Sequence, residues 1–145
     1  MVGFLIAVLS GILMSVQGVF NTDVTEHSSL WVANTWVQLT ALLVCLAFWG
    51  TTDRSSFALL FDFRPKYVLL GGVIGAFITL TVVKSMDIMG PAQAVLSIVV
   101  AQMISAYLIE LFALFGAEKA DWSLQKMVGM AVAIAGVILF QWERH

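Results

Sequence analysis

At 145 residues, 61% of them hydrophobic and 11% charged, with a mean hydropathy of +0.98, the chain is too apolar for a soluble domain, which is nearer half apolar and a quarter charged. Lipid is therefore the expected solvent for much of its surface. A net charge of −2 argues against nucleic acid or an anionic membrane surface as a partner. The single cysteine, Cys45, inside an apolar run excludes an intrachain disulfide framework or thiolate metal site.

Five segments are long and apolar enough to cross a hydrocarbon core of about 30 Å, which takes roughly 20 helical residues. They are Val2–Asn21, Leu30–Trp49, Tyr67–Met86, Pro91–Phe115 and Leu124–Trp142. Backbone groups in lipid must be paired within the segment, and strand alternation is absent, so the fold class expected is an all-α membrane protein, one five-helix transmembrane domain over residues 1–145. No Lys or Arg precedes the first segment, and its apolar run is as long as a membrane span, so it reads as a retained helix and not a signal peptide.

The connections Thr22–Ser29, Gly50–Lys66, Asp87–Gly90 and Gly116–Ser123 carry the turn and charge signals. Within the second, Phe57–Phe61 is too short to span and is expected to lie along the interface between Arg54 and Arg64. Trp31, Trp49, Tyr67, Trp122 and Trp142 fall at span ends, where aromatic belts form. Five spans put the termini on opposite sides. Arg54, Arg64, Lys66, Lys119 and Lys126 share the side of the N-terminus, against Lys84 and Arg144 on the other. This bias favours a cytoplasmic N-terminus and an external C-terminus, and is small enough to allow a population of both orientations.

Positions three, four and seven apart share a helix face. Ser10, Met14, Gln17 and Asn21 align in this way on the first span, and Asn34, Gln38, Ala41 and Cys45 on the second. On the fourth, Gln93, Ser97 and Ala101 form a stripe with Gln102 and Ser105 beside it. Amides grouped on single faces make either a hydrated cavity or an interhelical hydrogen-bond seam, the latter worth about 0.6 kcal/mol per bond. Glu110 is the one acid well inside a span. It is either functional or sits close enough to the interface to snorkel or pair with Lys119. Gly71, Gly75 and Thr79 on the third span, and Gly129, Ala133 and Gly136 on the fifth, have the spacing by which membrane helices pack closely, within or between chains.

Nothing here supports an enzyme. GxSxG, HExxH and phosphate-loop patterns are missing, and Ser10, Ser97 and Ser105 have no intramembrane histidine or lysine to activate them. The histidines, His27 and His145, fall in a loop and at the C-terminus, so neither a metal nor another cofactor is expected.

Leu69–Ala76 (LLGGVIGA), Met89–Ala101 (MGPAQAVLSIVVA) with Gln102 and Glu110, Leu114–Gly116, and the Gln-x3-Asn stretch Ser15–Asn21 resemble the YdcZ-like family of the drug/metabolite transporter superfamily. Glu110 stands where that family usually has aspartate, and Ala101 where glycine is common. Gly129–Val137 and Met89–Ser97 are similar, more distantly, to segments of the small multidrug resistance transporters. Those proteins exchange protons and cations through a first-helix glutamate, yet no acid occurs between Val2 and Asn21.

The resemblance implies a transporter protomer that works by alternating access, in the direction of export, in the cytoplasmic (inner) membrane of a prokaryote. Larger relatives hold substrate between two repeats of opposite topology. This chain looks like one repeat, completed by an antiparallel copy or by an oppositely oriented paralogue. Gln17, Asn21, Asn34, Gln38, Gln102 and Glu110 would line the site for a small organic solute, with Trp36, Phe77 and Tyr107 as aromatic walls and Gly129, Ala133 and Gly136 as the dimer contact. The alternatives are a passive channel, and a non-transporting subunit that pairs with a paralogue.

Overall fold

Polar side chains at the end of the first helix bond back onto it, which leaves none of their hydroxyl donors open. Thr22 Oγ1 donates to Gly18 O (2.9 Å), Thr25 Oγ1 to Asn21 O (2.8 Å) and Ser28 Oγ to Val24 O (2.6 Å), each one turn back. The helix α1 runs Val2–His27 and not to Asn21, absorbing most of the connection expected at Thr22–Ser29. Its 26 residues extend to about 39 Å at 1.5 Å per residue, beyond the hydrocarbon thickness, so its last turns suit the headgroup region.

In the computed structural model, residues 1–142 are described; Arg144 and His145, counted above in the charge bias and among the histidines, lie outside the described residues. Among these residues the protein is 85% helical without strands, and five helices are long and apolar enough to cross a membrane. The all-α membrane fold is as the sequence implies.

Ser29 opens α2 (Leu30–Phe48) by accepting Val32 N–H on its Oγ at 3.2 Å, an N-cap bond that satisfies an otherwise orphaned donor. Trp49–Asp53 continue it as a π-helical turn. Trp49 Nε1 donates to Ser55 O at 2.9 Å and its ring meets Phe57 at 4.8 Å, which folds the following loop back on the helix end. A single-turn helix, α3 (Leu59–Asp62), stands where the interfacial segment was expected. A 3-10 turn at Lys66–Leu70 then leads into α4 (Gly71–Met89), three residues longer than expected at its end.

Gly90 breaks the chain after α4 with φ +82, a conformation open to glycine and strained for residues with a Cβ. Pro91 starts α5 (Pro91–Leu111), at a position where its missing N–H costs nothing. The helix stops at Leu111 and not at Phe115. Ala113 and Phe115 take left-handed conformations, and Glu110 O accepts N–H groups from both Ala113 (3.2 Å) and Ala120 (3.0 Å), so the chain turns back on the helix end. The apolar run Phe112–Phe115 gave no sign of this. The last helix, α6, spans Leu124–Trp142 among the described residues.

Two units divide the chain, Met1–Asp87 and the residues from Ile88 onward. In the first, α1 packs on α2, and Gly18 of α1 lets Met86 and Val82 of α4 come close. Ala33, Val83 and Met86 are its buried apolar residues. In the second, α5 packs on α6 around Ala94 and Tyr107, and Gln141 Nε2 donates to Ser97 Oγ at 3.2 Å. Apolar side chains such as Phe4, Val132 and Leu139 stay 72%, 67% and 72% exposed. Surface of that kind needs lipid or another protein against it.

Candidate functional site

In the first unit, two amides of α2 reach across to α4. Asn34, only 7% exposed, donates from Nδ2 to Ala76 O of α4 at 3.3 Å. One turn further along α2, Gln38 Nε2 donates to Thr79 Oγ1 at 3.4 Å, and that hydroxyl donates to Gly75 O at 3.1 Å. Asn21 of α1 is 8% exposed. Of the buried side-chain polar atoms among the described residues, Asn34 Oδ1 is left without a hydrogen-bond partner. A buried acceptor in that state costs about 1–3 kcal/mol.

The other expected lining residues do not gather here. Gln17 lies exposed on α1, one turn before Asn21. Trp36 and Phe77 are 60% and 61% exposed, on the outside of the first unit and not among its buried amides. Gln102 is exposed on α5. A methyl group placed at Gly129 or Gly136 would meet no atom within 4 Å, and the same holds for Gly71 and Gly75. These small-residue stripes leave open space beside their own chain.

Glu110 and Tyr107 belong to a separate cleft in the second unit, of about 450 Å³, lined by Met103, Ala106, Tyr107, Glu110, Lys126, Gly129 and Met130. Glu110 Oε2 lies 3.6 Å from Lys126 Nζ, with both side chains about half exposed. The cation partner is thus Lys126, in the first turn of α6, and not Lys119 in the loop. Its Nζ also stands 5.3 Å from the centroid of the Tyr107 ring, within cation–π range. Tyr107 is 8% exposed, and its hydroxyl accepts Ser123 N–H at 3.0 Å, tying α5 to the residue before α6. Tyr107→Phe strands that N–H and is expected to lower stability by about 1 kcal/mol, read from unfolding of the purified protein in micelles; an unchanged midpoint would mean that the bond adds nothing. The sequence stripes pointed to neither Lys126 nor the two methionines, whose roles follow from how α6 lies on α5.

Five helices long and apolar enough to cross a membrane, with buried amides on α1 and α2, define a polytopic helical membrane protein. The family model described as "Putative inner membrane exporter, YdcZ" matches residues 2–139, and the chain belongs to that family. It is accordingly a multi-pass inner-membrane protein of a transporter family, not of an enzyme family. No curated protein and no solved structure matches the chain.

Proposed function

We propose that the chain is one half of an antiparallel dimeric exporter that carries a small polar organic solute by alternating access. Asn21, Asn34 and Gln38 are its solute contacts in the first unit, fixing the solute by directional hydrogen bonds. The observation that carries this reading is the buried, unpartnered Oδ1 of Asn34. An asparagine that served only to join α2 to α4 would need its Nδ2 alone; the spare acceptor fits a solute N–H or O–H donor. Uncharged amides suit a polar solute without demanding a formal charge, in keeping with the absence of any acid from Val2 to Asn21. Gln17, with its exposed side chain one turn before Asn21, extends the polar lining of the first unit.

The support for the dimer is the odd number of membrane-length helices among the described residues and the open space beside Gly136. Small residues let helices approach closely in lipid, where no hydrophobic drive brings them together. In a Cys45→Ala background, single cysteines at Ser28 and Thr52 are expected to react with an impermeant thiol reagent from both faces of the membrane. Labelling of each from one fixed face would exclude the antiparallel homodimer. A screen of small polar organic solutes on the purified protein tests the binding half of the proposal, because a ligand of the folded state raises its unfolding midpoint by mass action. Stabilisation that survives in Asn34→Leu would remove Asn34 from the site.

A further inference from the structure

We propose that the cleft between α5 and α6 binds a zwitterionic bilayer lipid with a phosphoethanolamine headgroup, its phosphate on Lys126 and its ammonium on Glu110. This inference is independent of the solute-transport reading. It rests on the second unit alone.

The cleft has a charged mouth and an apolar floor. Glu110 is the next-to-last residue of α5 and Lys126 the third of α6. Both charges therefore stand at one end of two membrane-length helices, joined there by the intervening loop, at the level where headgroups lie. Below them Met103, Ala106, Gly129 and Met130 line the cleft, which follows α5 from Glu110 to Met103 for about 10 Å at the helical rise. Unbranched, polarisable methionines adapt to irregular apolar partners such as acyl chains. The missing side chain at Gly129 keeps the floor open, since a methyl group there would touch nothing within 4 Å.

Charge decides the headgroup. The two side chains face each other at 3.6 Å and are half exposed, so both remain within reach of a ligand. A simple cation at Glu110 would compete with Lys126, and a simple anion at Lys126 would compete with Glu110. A headgroup carrying both charges gives each member of the pair an opposite charge without evicting the other. Tyr107 holds Lys126 in place from beneath, with its ring 5.3 Å from the ammonium. A primary ammonium also donates charge-assisted hydrogen bonds to Glu110, which a quaternary choline cannot. The apolar floor favours a lipid over a free phosphoethanolamine ester, which would leave it empty.

The test uses the full chain purified in micelles, to which phosphatidylethanolamine, phosphatidylcholine or phosphatidylglycerol with the same acyl chains is added, with bound lipid counted by native mass spectrometry. Phosphatidylethanolamine is expected to bind about tenfold more tightly than the other two, the discrimination of one charge-assisted hydrogen bond. Glu110→Gln should erase that preference, and Lys126→Gln should weaken all three lipids. Gly129→Leu, which fills the floor, should weaken all three while leaving the oligomeric state unchanged. Equal affinity for the three lipids in the wild type would overturn the proposal, as would a preference that survives both charge substitutions. So would displacement of the lipid by an equal concentration of soluble phosphoethanolamine. If Gly129→Leu splits the oligomer and leaves lipid preference intact, the cleft is a contact between copies and the proposal fails.

Discussion

Asn34→Leu is expected to cut transport at least about tenfold while leaving the folded protein as stable as the wild type, or more so. Leucine has nearly the shape of asparagine and no polar atoms. The substitution removes the bond from Nδ2 to Ala76 O, 3.3 Å long, which in a membrane is worth about 0.6 kcal/mol. Ala76 lies within α4, where its carbonyl faces the next helical turn, so the carbonyl is not stranded. The substitution also removes the unpartnered Oδ1, whose burial costs about 1–3 kcal/mol. The balance favours leucine by up to about 2 kcal/mol. A solute that donates to Oδ1 loses its partner, and transport should fall at least about tenfold. Unfolding midpoint and transport rate, measured on the same preparation, separate the two effects. If stability and transport fall together, Asn34 is only a structural tie between α2 and α4.

Gly18→Leu should have the largest effect on stability. A methyl group at Gly18 would stand 2.5 Å from Met86 Cε, 2.7 Å from Met86 Sδ and 3.6 Å from Val82 Cγ1. The thioether end of Met86 is flexible, so Gly18→Ala is accommodated by a rotation at a cost of about 1 kcal/mol. Leucine cannot be accommodated in this way and pushes α1 from α4, costing about 3 kcal/mol. Because Asn21 lies less than one turn from Gly18 on α1, solute binding should weaken with it. Met86→Ala placed beside Gly18→Ala should recover more stability than separate effects would give, since the two residues share one contact. An unfolding midpoint for Gly18→Leu equal to the wild type would mean that α1 and α4 do not hold each other at this point.

Both results depend on features that the sequence revealed unevenly. Spacing by three and four placed Gln17 and Asn21, and Asn34 and Gln38, on common faces, and hydropathy placed α2 within a residue at each end. It failed at two helix ends for opposite reasons. Thr22, Thr25 and Ser28 read as loop residues, yet their hydroxyls bond one turn back onto α1, which runs on to His27. Phe112–Phe115 read as span residues, yet left-handed conformations at Ala113 and Phe115 end α5 before them. Pairings between helices were hidden for another reason. Spacing orders residues along one helix but carries nothing about the neighbour's register, so Asn34 with Ala76, Gln38 with Thr79 and Gln141 with Ser97 had to come from packing. Lys126 is an instance of the same limit: it sits in the first turn of α6, and only the placement of α6 against α5 makes it the partner of Glu110 and not a free interfacial cation.

The same packing explains why a chain with few buried side chains has a defined interior at all. Ala33, Val83 and Met86 are buried in the first unit, and so are Asn21 and Asn34. In lipid, apolar side chains gain little from leaving the bilayer, so small residues and polar bonds between helices do more of the holding than they would in water. Under the proposed function a polar seam in such a place serves both stability and recognition, and the unpartnered oxygen of Asn34 is where the two come apart.

Counterflow in proteoliposomes tests transport at this seam most directly. Vesicles containing the purified protein are preloaded with the unlabelled solute that most raises its unfolding midpoint, then diluted into a trace of the labelled form. An alternating-access exporter exchanges the two, so the label should transiently accumulate above its equilibrium level, and this overshoot should shrink in Asn34→Leu. Label that rises only to equilibrium, as through a passive channel, or an overshoot undiminished in Asn34→Leu, would contradict the account.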